Sequence, residues 1–200
     1  MQNRVDPFGV FHAVPERGTL MGNRGGRIHR DQRTLAARRW ASRRWIICVC
    51  VFKNRHRDVW AAGYTELFFL DEPTALAAGH RPCFECRRRE AEAFRRLFPG
   101  APTSADAMDG ALHEERLDGR LQRRWRARIG ALPDGAMFTW QGRAYAIRDE
   151  VALPWSFAGY GAPVPLAGGL EVDVLTPPST VAALAAGYRP RWPDSDGPRM

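Results

Sequence analysis

Hydrophobic and polar positions change period several times along the chain, and each change marks an element. The run 45–52, "WIICVCVF", is apolar and β-branched between charged flanks and predicts a strand, with Ile46, Cys48, Cys50 and Phe52 on one face. A second strand is expected in "YTELFFL" (64–70). "DEPTALAAG" (71–79) reads as a short helix: Pro73 suits its first turn and Gly79 the left-handed residue that ends it. Phe84, Ala91, Phe94, Leu97 and Phe98 recur at helical spacing and predict an amphipathic helix over 84–98. Residues 106–129 predict a longer, charged helix whose buried stripe is Met108, Leu112, Leu117, Leu121, Trp125 and Ile129. "AMFTWQGRAYAIRD" (136–149) predicts a hairpin turning at Gln141-Gly142, and "VALPWSFAGYG" (151–161) and "LEVDVL" (170–175) predict further strands.

The N-terminal part is less periodic. "GVFHAV" (9–14) reads as a short strand and "ERGTLMGNRGGRIHRD" (16–31) as a basic, glycine-rich loop without the Gly-Lys-Ser/Thr of a phosphate loop. "TLAARRWASRRW" (34–45) suits a helical turn or two, with Arg38, Arg39, Arg43 and Arg44 outward and Trp40 and Trp45 toward the core. Short strands mixed with helices make the expected class α+β: a small mixed sheet with short helices around a four-cysteine zinc site, plus a C-terminal β-hairpin region. The loop "PGAPTSADAMDG" (99–110) suggests a division into a basic zinc-binding domain, 1–99, and a helix-plus-hairpin region, 100–200, packed separately or as one unit.

Composition narrows the function classes. A hydrophobic fraction of 44% over 200 residues allows a sizeable core. No stretch approaches the roughly 20 apolar residues of a membrane span, and the N-terminus lacks a basic-then-apolar signal pattern. The expectation is a cytoplasmic protein with no membrane partner, in which cysteines serve as metal ligands or thiols rather than disulfides. The net charge of +8 is concentrated: residues 1–57 hold twelve arginines and Lys53 against Asp6, Glu16 and Asp31. Such a surface attracts polyanions, DNA first and RNA second. Arginine supplies 29 of the 30 basic residues, as an arginine-biased composition also would, yet its fork remains suited to phosphate and guanine.

One phrase occurs twice. "ALAAGHRP" (75–82) and "ALAAGYRP" (183–190) agree at seven of eight positions, and both read as a helix stop followed by an extended exit. Only the first continues into Cys83-Phe84-Glu85-Cys86. A C-x-x-C by itself is consistent with zinc, a redox pair or two core cysteines, and the redox reading lacks a thioredoxin-like context. With Cys48 and Cys50 two apart on a strand, four cysteines in two close pairs match a closed tetrahedral zinc site, in which His80 or His56 is an alternative to Cys48 or Cys50.

"FFLDEPTALAAGHRPCFECRR" (68–88) resembles the zinc-binding N-terminal domain of the bacterial Ada DNA-repair protein, over roughly 45–98 and specifically over 68–88. The resemblance implies zinc on Cys83 and Cys86, and Arg81, Arg87 and Arg88 near a DNA backbone. It also implies that an upstream cysteine, Cys48 or Cys50, accepts a methyl group from a phosphotriester. The chain departs from that family in spacing its upstream pair C-x-C rather than C-x-x-x-C. It also lacks the Pro-Cys-His-Arg motif of full-length members.

Two further constellations stand apart. Asp106, Asp109, His113 and Arg116, with Glu114 nearby, step down one helix face and suit a hydrolytic or second metal site, although most charged helix faces are only solvated. Trp155, Phe157 and Tyr160 suit either a base-stacking platform or a hairpin core. The sequence thus predicts a zinc-containing, DNA-binding protein linked to repair or modification, with phosphate contacts from Arg38, Arg39, Arg43, Arg44, Arg81, Arg87 and Arg88. The alternatives are an enzyme acting on DNA, by methyl transfer or hydrolysis, and a structural or protein-interaction module.

Overall fold

Three sheets, one of them mixed, and four α-helices make up the computed structural model, which describes residues 1–53 and 58–193, and the α+β class is as expected. The first sheet takes in β1 (Arg4–Val5), β2 (Phe11–His12), β3 (Leu20–Arg24), β4 (Trp45–Val49) and β5 (Leu67–Phe69). Its last strand, β6 (Arg81–Pro82), comes after helix α1 (Glu72–Ala77). Their order is β2-β1-β5-β3-β4-β6; β1 with β5 and β4 with β6 run parallel, the rest antiparallel. Helices α2 (Arg88–Leu97) and α3 (Ala105–Arg116) follow, then a small hairpin, β7 (Leu117–Asp118) and β8 (Leu121–Gln122). The second sheet is antiparallel and comprises β9 (Trp125–Arg128), β10 (Met137–Trp140), β11 (Arg143–Arg148), β12 (Val151–Ser156), β13 (Gly159–Tyr160) and β14 (Glu171–Val174). Helix α4 (Pro178–Ala185) ends the set. One apolar cluster runs through Leu20 and Phe69 of the first sheet, Leu76, Phe94 and Leu112 of the helices, and Phe138 and Val174 of the second sheet.

Four expectations change. The glycine-rich stretch 16–31 holds β3, a fully buried strand between β4 and β5. Its polar letters hid it, because Asn23 and Arg24 are buried. Gly22 is there for closeness: a Cβ would lie 2.3 Å from the Ile46 carbonyl oxygen and 2.9 Å from the Phe69 ring. Segment 34–45 forms bends rather than helical turns. The long charged helix stops at Arg116, since Gly119-Arg120 is a hairpin turn with Gly119 at φ 59°, and Trp125–Arg128 is extended beside β14. Helix α2 likewise starts only at Arg88, after a turn that holds the cysteines. The hairpin at Gln141-Gly142 forms as expected, with φ 50° and 76° at those residues, as a type I′ turn requires.

Both copies of the repeated phrase end helices in the same way. His80 N–H donates to the Ala75 carbonyl and Gly79 N–H to Leu76; Tyr188 N–H donates to Ala183 and Gly187 N–H to Leu184, all at 2.9–3.0 Å. This is the paired 6→1 and 5→2 pattern of a Schellman cap, with Gly79 at φ 81° and Gly187 at φ 108°. The following rings, His80 and Tyr188, are both buried.

Candidate metal centre

Strand β4 and the turn after β6 bring Cys48, Cys83 and Cys86 together, with all three sulfurs within 4.8 Å of one another. The parallel register sets Ile47 beside Pro82, and Cys83 N–H donates to the Ile47 carbonyl at 2.9 Å, so Cys83 arrives next to Cys48. The chain then turns: Glu85 N–H donates to Cys83 Sγ at 3.3 Å and Arg87 N–H to the Cys83 carbonyl at 3.0 Å, which carries Cys86 back over the same point. Met21, Ile46, Tyr64 and Phe68 pack around the thiols and keep their surroundings apolar.

Three thiols so placed cannot titrate independently. Hydrogen bonds from Cys48 and Cys86 hold Cys83 well below the ordinary thiol range against the opposing effect of burial. The same contacts, with desolvation, push Cys48 far above the ordinary thiol range. A thiol held low between two others offers a metal ion a ready thiolate ligand. A tetrahedral centre with metal–sulfur bonds of about 2.3 Å sets sulfurs about 3.8 Å apart, so the trio closes on an ion with shifts below an ångström. These residues fit a metal ion.

Cys50 does not join them. Strand β4 ends at Val49, the alternation stops there, and the exposed Cys50 thiol donates instead to the Thr19 carbonyl. His80 is also outside the cluster: it is fully buried against the rings of Phe69 (4.7 Å) and Trp45 (5.2 Å), where burial first, and then Arg24 and Arg116, hold it well below its ordinary value. His56 lies outside the described residues.

Two arginines expected at a DNA backbone are spent inside. Arg81 forks onto Asp109 at 2.9 and 2.7 Å, and Arg87 onto Glu72 at 2.9 and 2.7 Å, all four residues being buried. Arg88 is exposed and pairs with Glu92 one helical turn on. Arg38, Arg39, Arg43 and Arg44 are exposed, Arg44 beside Asp106. A feature missed in the sequence is where the second phrase lands. Arg189 and Arg191 share a cleft with Arg89 and Arg96 of α2, and Cys86 and Val49 form part of its wall. The only sequence signal was that Arg191 stands where the first copy has Cys83.

The other constellations dissolve. Asp106 faces Arg44, Asp109 faces Arg81 and His113 accepts from Arg116 at 3.0 Å, so the α3 carboxylates and imidazole serve three separate partners. Trp155 donates to Thr74 Oγ1 at 2.9 Å, and Tyr160 to Asp71 Oδ2 at 2.7 Å, while Phe157 packs edge-on against Trp155. Those rings fasten the β12–β13 hairpin onto the start of α1, which is the hairpin-core alternative. Among the described residues no helix is long and apolar enough to cross a membrane. No known family model, curated protein or solved structure matches the chain.

Proposed function

We propose that the protein holds one zinc ion on Cys48, Cys83 and Cys86 and binds nucleic acid, DNA first, along the arginine-lined cleft beside it. The observation that carries this reading is the adjacency: one wall of the cleft is Cys86, and Arg89, Arg96, Arg189 and Arg191 surround it. Zinc suits three thiolates in a reducing compartment, and it leaves a fourth position for water or a substrate atom. Exposed guanidiniums in one cleft suit the phosphates of a nucleic-acid backbone. The Ada resemblance of residues 68–88 adds weight, with different arginines from those it implied.

The test is metal content and salt-dependent binding together. Protein purified without added metal should carry about one zinc per chain, and Cys48→Ser, Cys83→Ser and Cys86→Ser should each lose it. Binding to a DNA duplex should fall steeply between about 50 and 200 mM salt, as phosphate contacts release counterions. Folded, metal-free protein with a flat salt dependence refutes the proposal.

A second reading, methyl transfer, is favoured by one detail. Of the three thiols Cys86 is the half-buried one and the one on the cleft, whereas Cys48 is buried. Cys86 as zinc thiolate would attack the methyl carbon of a methylphosphotriester, forming S–C, breaking C–O and releasing the phosphodiester anion. Intact mass after incubation with such DNA should rise by one methyl on Cys86. No gain leaves binding alone.

A further inference from the structure

At the other end of β4 is a cavity of about 140 Å³ with no acidic residue in its lining. Two of its walls are the guanidiniums of Arg24 and Arg116, each 4.0 Å from a Trp45 ring centroid and each belonging to a residue no more than 3% exposed. Among the described residues neither forms a salt bridge. Arg24 donates to the Gly9 carbonyl at 3.0 Å and, at 3.5 Å, to His80; Arg116 donates to the carbonyls of Gly79 (2.9 Å) and Arg43 (2.7 Å). The acids whose charges reach the pair are bonded to other partners, Asp109 to Arg81 and Asp6 to His12 and the Val10 amide. Arg116 Nε is buried with no partner among the described residues. Burial, foremost, pushes Arg116 down to about 9, and burial followed by the charges of Arg116 and Arg39 lowers Arg24. The exposed Arg39 and Arg120 complete a ring of four cations.

Two buried cations that line one cavity and flank one indole, with no salt bridge among the described residues, are costly unless an anion occupies the space. Structural arginines in this same chain show the contrast, since Arg81 and Arg87 each have a carboxylate fork. We infer that this cavity binds the phosphate of a nucleoside monophosphate group, with Arg24 and Arg116 at its floor and Arg39 and Arg120 at its rim. The volume is that of about four or five waters of liquid, enough for a tetrahedral oxyanion but not for a whole nucleotide. The base must therefore rest at the mouth, where Trp40 and the exposed Val10 and Leu121 offer an apolar bed. Gln122 Oε1, also buried without a partner among the described residues, suits a hydroxyl of the ligand. The site is independent of the thiol cluster and of the cleft beside it, so it stands whether or not the protein binds zinc.

The experiment is calorimetric titration of the full chain with adenosine 5′-monophosphate, orthophosphate, adenosine and a 5′-phosphorylated oligonucleotide, with tryptophan fluorescence read in parallel. The monophosphate should bind and change the emission of Trp40 and Trp45, orthophosphate should bind at least tenfold more weakly, and adenosine should not bind measurably. If the oligonucleotide matches or exceeds the mononucleotide, the source is a nucleic-acid end; if it does not bind, the source is a free nucleotide. Arg24 and Arg116 variants put folding at risk, so the deciding variant is the exposed double change Arg39→Ala/Arg120→Ala. It should weaken binding at least tenfold, while the surface control Arg143→Ala leaves it unchanged. Absence of binding by any phosphate-bearing probe, or equal binding by the rim double variant, overturns the inference.

Discussion

Replacing Glu72 with glutamine removes the anion at the most heavily subscribed carboxylate of the fold. Glu72 is fully buried. Its Oε1 accepts from Arg87 Nη1 at 2.9 Å and the Tyr188 hydroxyl at 2.6 Å, and its Oε2 accepts from Arg87 Nη2 at 2.7 Å and Arg191 N–H at 2.8 Å. Burial works against the Arg87 charge, but Glu72 more than offsets it and holds the guanidinium above its ordinary value. An amide in this place has only one acceptor oxygen, so its NH2 faces an N–H of Arg87 whichever way it turns. Breaking a buried ion pair from one side costs about 3–5 kcal/mol. For a chain of this size that is a fall in Tm of roughly 6–20 °C.

Denaturant titration and calorimetry measure the loss directly, and the double variant Glu72→Gln/Arg87→Met separates its parts. If the cost is the orphaned guanidinium, removing it should restore stability, and the double variant will be more stable than the single one. Arg87 also follows Cys86 immediately, so E72Q should speed loss of bound metal to a chelator. A single-variant cost under about 1 kcal/mol, or a double variant no better than the single, refutes the argument that Glu72 anchors the cysteine turn.

Other outcomes follow from particular residues. Cys50→Ser should retain the metal that the other three serine variants lose, read by metal analysis, because its thiol lies outside the cluster. Gly79→Ala should cost more than the ordinary penalty of about 1 kcal/mol for a lost left-handed cap, since its Cβ would meet Arg116 Cδ at 2.6 Å; a melting curve unchanged from wild type would contradict the contact. Burial raises the Asp71 carboxyl from 3.8 to about 6. A carboxyl raised in the folded state stabilises while protonated, fully below pH about 4, and loses that contribution as pH climbs through 6. The wild-type advantage over Asp71→Asn should therefore shrink by roughly 2 kcal/mol between pH 4 and 7 in paired denaturation curves.

How far the sequence reached depends on whether local chemistry or distant partners decide each element. Helix α1, its glycine cap and the Gln141-Gly142 hairpin were legible because turn and cap residues act on their own neighbours. Strand β3 was not, because Asn23 and Arg24 become buried only through partners remote in sequence. Arg24, for instance, meets Trp45, His80 and Gly9. The cysteines divide along the same line. The C-x-x-C turn and Cys48 could be read as a cluster from spacing, but the exclusion of Cys50 depends on where pairing with β3 ends, at Val49. Charge was legible as a total and not by place: the sequence assigned Arg81 and Arg87 to a surface, whereas Asp109 and Glu72 take them into the core.

The two copies of the phrase do more than stop two helices. Each cap turns a ring inward, and the two rings have different work. Tyr188 reaches Glu72 with its hydroxyl, while Arg191, three residues past that ring, exchanges hydrogen bonds with the same residue: its N–H meets Oε2 at 2.8 Å and its carbonyl accepts from Glu72 N–H at 3.1 Å. Glu72 opens the helix that the first copy closes, and it also takes the fork of Arg87, next to Cys86. The second corner is thereby fastened to the first through one carboxylate. That fastening brings the exposed Arg189 and Arg191 side chains to the cleft that Cys86 borders. Cysteine in the first copy and arginine in the second then have one explanation: the former supplies thiols to the cluster, and the latter supplies positive charge beside it.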